Sequence, residues 1–97
     1  MYARVTSLTG SPDDIDAGIA DFRDEAVPFT HGQGGKGAIL LVDRATGRAL
    51  AITLWEDEQA LQASEEAANT LRAQAAEDIH VTQSPTVERY EVAVFET

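Results

Sequence analysis

Two histidines, one tryptophan and a few polar residues on apolar stretches are the side chains here whose types and spacing could do chemistry. His31 lies in the glycine-rich stretch from Phe29 to Gly37. A histidine titrates near neutral pH, so it could act as a general base, or it could simply be a solvated loop residue. His80 precedes the last apolar segment and has less claim to a role. Trp55 closes an apolar run and could stack on a flat aromatic ligand; the rival reading is that it fills a core or a subunit interface. Arg4, Thr6, Thr53, Arg89 and Glu91 share a strand face with Trp55 and could orient a polar substituent on a bound molecule. Alternatively, Arg89 and Glu91, two apart on one strand, could form a cross-strand or intersubunit ion pair.

Other charged and glycine-rich groups have simpler readings. Asp13, Asp14 and Asp16 read as helix capping and solvation, Glu65 and Glu66 as a solvated helix face, and neither group has calcium-loop spacing. Gly32, Gly34 and Gly37 match GxGxxG beside Lys36, but a phosphate or dinucleotide loop needs a strand before it and a helix after it. Here the order is reversed, and the lysine is followed by glycine rather than Ser or Thr. The glycines instead allow a tight entry into the following strand.

The elements that must position these residues follow from pattern. Residues 2–9 mix β-branched and aromatic residues as a strand does. Ser11, Pro12 and the acids after them start a helix with Ile15, Ile19, Phe22 and Ala26 on its buried face, and Pro28 is expected to end it. Ala38 to Asp43 and Arg48 to Trp55 form a hairpin around Thr46 and Gly47. Asp57 caps a second helix whose slim stripe is Leu61, Ser64, Ala68, Leu71 and Ala75. Thr86 to Phe95 alternates as a half-buried strand. The order is βαββαβ, which specifies one α+β, ferredoxin-like domain over residues 1–97 with an antiparallel sheet.

Alternation gives each strand two faces. One set, Val5, Leu50, Ile52, Leu54, Tyr90, Val92 and Val94, is uniformly apolar and is expected under the helices. The other, Arg4, Thr6, Ala51, Thr53, Trp55, Val87, Arg89, Glu91, Ala93 and Phe95, is mixed. It is expected to close against a second subunit around a cavity, or to serve as an exposed ligand surface.

Composition narrows the partners. A chain of 97 residues can bury roughly 60–65% of its unfolded surface and so gains from dimerisation. The net charge of -10 repels nucleic-acid phosphates and anionic membrane surfaces, so neither is expected as a partner. Without cysteine there are no disulfides or thiolate metal sites, and the composition fits a reducing cytoplasm. The longest apolar run, Ala38 to Val42, is far short of the ~20 residues of a membrane helix.

The order of elements, the DRATGR turn, the strand ending LWEDE and the SEEAA helix together resemble the dimeric α/β-barrel superfamily. Within it they resemble small actinobacterial-type proteins related to the antibiotic biosynthesis monooxygenase domain. That resemblance implies a homodimer packed sheet to sheet, a cavity for a small apolar or aromatic ligand, and cofactor-independent oxygenation of a phenol in some members. Trp55 matches the tryptophan that commonly ends the third strand of the family. Three family positions differ. Ala51 stands where cofactor-free oxygenases place an asparagine. The region from Ser64 to Glu66 lacks the axial histidine of haem-degrading relatives. Arg4, Thr6 and Ser7 include no match for their first-strand asparagine. The resemblance thus implies a small-molecule-binding protein, with His31 as its base if it is an oxygenase. A non-catalytic binding or interaction module is the alternative, and haem binding ranks third.

Overall fold

A computed structural model describes residues 1–78 and 83–96. Four antiparallel strands form one sheet in the order β2-β3-β1-β4: β1 Tyr2–Thr9, β2 Gly37–Asp43, β3 Arg48–Trp55 and β4 Thr86–Glu91. Helices α1 (Ile15–Asp21) and α2 (Val27–Gly32) join β1 to β2, while α3 (Glu58–Ala63) and α4 (Glu65–Asp78) join β3 to β4. The architecture is α+β and ferredoxin-like, as the βαββαβ order specifies.

Each start signal works through a specific bond. Ser11 Oγ accepts a hydrogen bond from the Asp13 amide, and one 3-10 turn, Pro12–Asp14, leads into α1. Asp57 caps α3 by accepting from the Ala60 amide at 2.8 Å. In the β2–β3 turn, Asp43 Oδ1 accepts from the Ala45 and Thr46 amides, and Gly47 takes φ +80°. A Cβ on Gly47 would sit 2.1 Å from the Gly10 carbonyl oxygen, so the turn needs glycine for space as well as for φ.

Pro28 does not end the first helical segment, which runs on to Gly32. A π-helical turn, Phe22–Ala26, precedes the proline, with the Val27 amide bonded to the Phe22 carbonyl. Widening that turn accommodates the proline, which has no amide to donate, without ending the helical segment. The expected loop from Phe29 is therefore helical for its first four residues. Likewise the second helix is broken at Ser64, although Leu61, Ser64 and Ala68 of the expected stripe are buried as predicted.

The last strand is shorter than the alternation suggests: β4 ends at Glu91, and Val94 is 83% exposed.

The face assignment is reversed. Arg4, Thr6 and Leu8 of β1 are buried, and Trp55 is fully buried, so the mixed face lies under the helices. Val5, Leu50 and Ile52 belong to the opposite face with Ile39, Leu41 and Tyr90, which are 38%, 49% and 51% exposed. Right-handed crossovers put both helical segments on the same side of the sheet, and strand parity then decides which residues they cover. Any sheet-to-sheet dimer must therefore use this opposite face, which also carries Ser7 and Glu88.

Candidate functional site

The sheet's inner face and the helices border a partly open cavity of about 150 Å³. β1 contributes Arg4, Thr6 and Leu8; β3 contributes Ala49, Ala51 and Thr53; β2 contributes Leu40 and Val42. Ile15, Ile19, Phe22 and Phe29 form the opposite wall, and Ala68, Leu71, Arg72 and Ala75 of α4 form a third side. The helix faces read from i, i+3 and i+4 spacing are the walls of this space. The small residues Ala49, Ala51 and Ala68 leave the volume open, because no side chain there reaches across.

Arg4 is the central polar group. Its guanidinium is almost wholly buried, with its side chain 4% exposed. Nη2 donates to the Leu61 carbonyl at 2.9 Å and to Ser64 Oγ at 2.7 Å, and Ser64 Oγ itself donates to Leu61 O at 2.8 Å. Arg4 thereby satisfies a carbonyl at the C-terminal end of α3, where a cation is favoured. Its Cζ lies 5.4 Å from the centroid of the Trp55 ring, a cation–π contact. Nη2 is also 3.2 Å from Glu65 Oε1. Arg4 Nε is buried with no hydrogen-bond partner among the described residues.

Glu65 ties this group to β4. It accepts from Arg89 Nε at 2.6 Å and from Nη2 at 2.7 Å, a parallel two-bond pairing. Those bonds, aided by the charge of Arg4 and opposed by burial, hold the Glu65 carboxyl down to about 2. The expected solvated role for Glu65 is therefore wrong: its side chain is only 22% exposed and bridges two arginines. Arg72 is lowered by burial and by the neighbouring charge of Arg4, and it donates to the Asn69 side chain.

The residues singled out in the sequence separate into three groups. Arg4, Thr6 and Thr53 meet in the cavity wall. Trp55 packs behind Arg4, donates from Nε1 to Thr53 Oγ1 at 2.9 Å, and is absent from the cavity lining. His31, Arg89 and Glu91 lie elsewhere: His31 is exposed near the end of α2, Arg89 is at the β4 edge on Glu65, and Glu91 is exposed opposite Tyr2. Arg89 pairs with the helix rather than with Glu91. His80 lies outside the described residues. Asp14, Asp21, Phe29, Thr30 and Arg72 also line the cavity and were not singled out as site residues. Arg72 had a readable signal, since it stands four residues after Ala68 on the α4 stripe.

Solved structures with the same arrangement decide the comparison. An antibiotic biosynthesis monooxygenase superposes with a TM-score of 0.68 at 21% identity, over 97% of this chain and 100% of that one. The Streptomyces coelicolor monooxygenase from ActVA-Orf6, solved with nanaomycin D, gives a TM-score of 0.76 at 13% identity, over 99% of this chain and 92% of that one. The chain has the ferredoxin-like fold of the antibiotic biosynthesis monooxygenases. A haem degrader of Mycobacterium tuberculosis, solved with two haems in its active site, shares this monooxygenase-like fold at a TM-score of 0.74 and 17% identity, with both chains covered completely. No family model matches the chain. Two uncharacterised proteins of Mycobacterium tuberculosis are similar in sequence. One is 40% identical over 94 residues, 96% of this chain and 41% of its own length. The other is 37% identical over 95 residues, 97% and 39% respectively. The monooxygenase-like fold described here thus spans about two fifths of the length of the curated relatives it matches.

Among the described residues no three of His, Asp or Glu are grouped to hold a metal ion. No described helix is long and apolar enough to cross a membrane.

Proposed function

We propose that this protein binds a small, apolar or aromatic molecule in the cavity between its sheet and helices. The observation that carries the reading is one buried arginine, Arg4, with two threonines, Thr6 and Thr53, converging on the sheet side of a cavity whose walls are mostly apolar. A concave apolar space with a few convergent polar groups is the usual form of a small-molecule site. A cavity of about 150 Å³ is known to hold a benzene-sized guest. That size favours one or two rings and disfavours a haem. The ligand nanaomycin D in a protein of the same fold supports the small-molecule part of the reading.

The finer reading is cofactor-independent oxygenation of a phenolic compound, and the non-catalytic binding module is its rival. His31 is the histidine proposed as base for the first, and its exposure away from the cavity lining favours the second. The test is a titration with a quinol under simultaneous calorimetry and oxygen-electrode recording. Saturable binding with oxygen uptake supports the oxygenase; binding without uptake leaves a binding protein; no binding removes both.

The homodimer belongs to the same proposal. The uncovered sheet face carries Ile39, Leu41 and Tyr90, a row of side chains better placed against a second copy than against water. With it goes the reading of residues 1–97 as one domain in a soluble, cytoplasmic setting.

A further inference from the structure

Two of the chain's seven basic side chains line the cavity, and a third stands just outside it. Arg4 and Arg72 are part of its lining, and Arg89 stands directly across from Arg4 on β4. Glu65 pairs with Arg4 at 3.2 Å and with Arg89 at 2.6 Å, while Arg72 donates to the Asn69 side chain. Among the charged residues of the lining, Arg4 and Arg72 are the cations, and Asp14, Asp21 and Glu25, from the segment between Pro12 and Ala26, are the acids.

Arg4 supplies a second, independent observation. Its Nη2 is committed to Leu61, Ser64 and Glu65, and Trp55 covers one face of the guanidinium. Nε, however, is buried without a partner among the described residues, in a side chain belonging to a residue only 3% exposed. A buried donor left unmet is costly, and a ligand oxygen is the natural group to meet it. Arginine presents its donors as a planar fork that matches a carboxylate.

We infer that the cavity takes an aromatic monocarboxylate, with its carboxylate at the Arg4–Arg72 end and its ring in the apolar remainder. The inference rests on the ligand-binding reading above and adds the charge and orientation of the ligand. The carboxylate accepts from the unmet Arg4 Nε beside Arg72, and the ring packs against Leu8, Leu40, Phe22 and Leu71. Thr6, next to Arg4 on the same face of β1, flanks the carboxylate end.

Benzoate and benzamide share a ring and nearly a shape but differ in charge. The test is an NMR chemical-shift titration of the full chain with each at fixed ionic strength. Benzoate is expected to bind more tightly by roughly tenfold or more, the value of a charge-assisted hydrogen bond. The shifts should centre on Thr6, Ala51 and Leu71. In Arg72→Gln the ratio of benzoate to benzamide affinity should fall; this variant leaves the Arg4 contacts to α3 in place. Equal binding of the two compounds overturns the inference and leaves the cavity reading standing. Undiminished preference in Arg72→Gln overturns the placement of the carboxylate. Binding of neither compound overturns the cavity reading and this inference together.

Discussion

Glu65 accepts two parallel hydrogen bonds from Arg89, at 2.6 and 2.7 Å, and this pair pins the start of α4 to the edge strand β4. The same carboxylate lies 3.2 Å from Arg4 in the adjacent strand, so one acid joins two strands and a helix beside the cavity. Two arginines that face each other across β1 and β4 would repel without it.

That bridge makes stability depend on acid pH. The Glu65 carboxyl is held at about 2 in the folded chain against an ordinary 4.5, so its contribution is complete above about 4.5 and is lost as pH falls toward 2. Glu65→Gln should cost about 1–2 kcal/mol at neutral pH, allowing for solvent screening at the exposed Arg89. It should also flatten the decline between those pH values. Urea unfolding of both proteins across that range checks the expectation; parallel pH curves would contradict it.

Trp55 is the single tryptophan and is wholly buried behind Arg4. Its emission should be little quenched by added iodide in the native state and strongly quenched in urea. Trp55→Ala should destabilise the fold by about 3–5 kcal/mol, the usual cost of deleting a large buried aromatic. Efficient iodide quenching of the native protein would place the indole at the surface instead.

Ala51 faces the cavity from the middle of β3. Ala51→Leu should fill part of the space, weaken binding of one-ring and two-ring aromatics by about tenfold or more, and leave the unfolding midpoint equal or higher, as cavity-filling changes do. Calorimetric titration with a thermal scan gives both readings. Unchanged affinity would show that the aromatic binds somewhere else.

At Gly47, positive φ and the nearby Gly10 carbonyl both exclude a side chain. Gly47→Ala should cost at least about 2 kcal/mol, the scale of a strained backbone position combined with a steric clash. Gly34 also has positive φ, yet a Cβ there meets nothing within 4 Å, so Gly34→Ala should cost about 1 kcal/mol. Chemical denaturation of the two variants side by side tests the ranking.

Leu41 stands in the open apolar row, half exposed. If a second copy covers that face, Leu41→Asp should convert a dimer to a monomer in light scattering at micromolar concentration and leave the far-ultraviolet circular dichroism unchanged. A wild-type monomer at the same concentration would remove the homodimer from the proposed function.

Much of the frame is legible in the amino-acid sequence. Ser11 and Asp57 mark helix starts because an N-cap oxygen needs only a neighbouring amide, and Thr46–Gly47 marks the hairpin because the turn itself demands that glycine. The cavity walls are legible as stripes, with Ile15, Ile19 and Phe22 on one segment and Ala68, Leu71 and Ala75 on another. Pro28 misleads, because the missing amide is absorbed by a π-turn rather than by a helix end. Such a turn leaves no mark in local propensity.

The sequence by itself determined the order of elements, the pleat parity of each strand and the charge of the chain, all of which depend on neighbours a few residues apart. Only the tertiary structure decided which sheet face the helices cover, because alternation offers two faces that both carry apolar residues, and the choice between them is made by packing across all four strands. It likewise decided that Arg4, Arg89 and Glu65, separated by up to 85 positions, share one cluster. Sequence spacing cannot report such pairing, since Coulomb attraction and hydrogen bonding depend on distance in space and on burial, which exist only once the chain has folded.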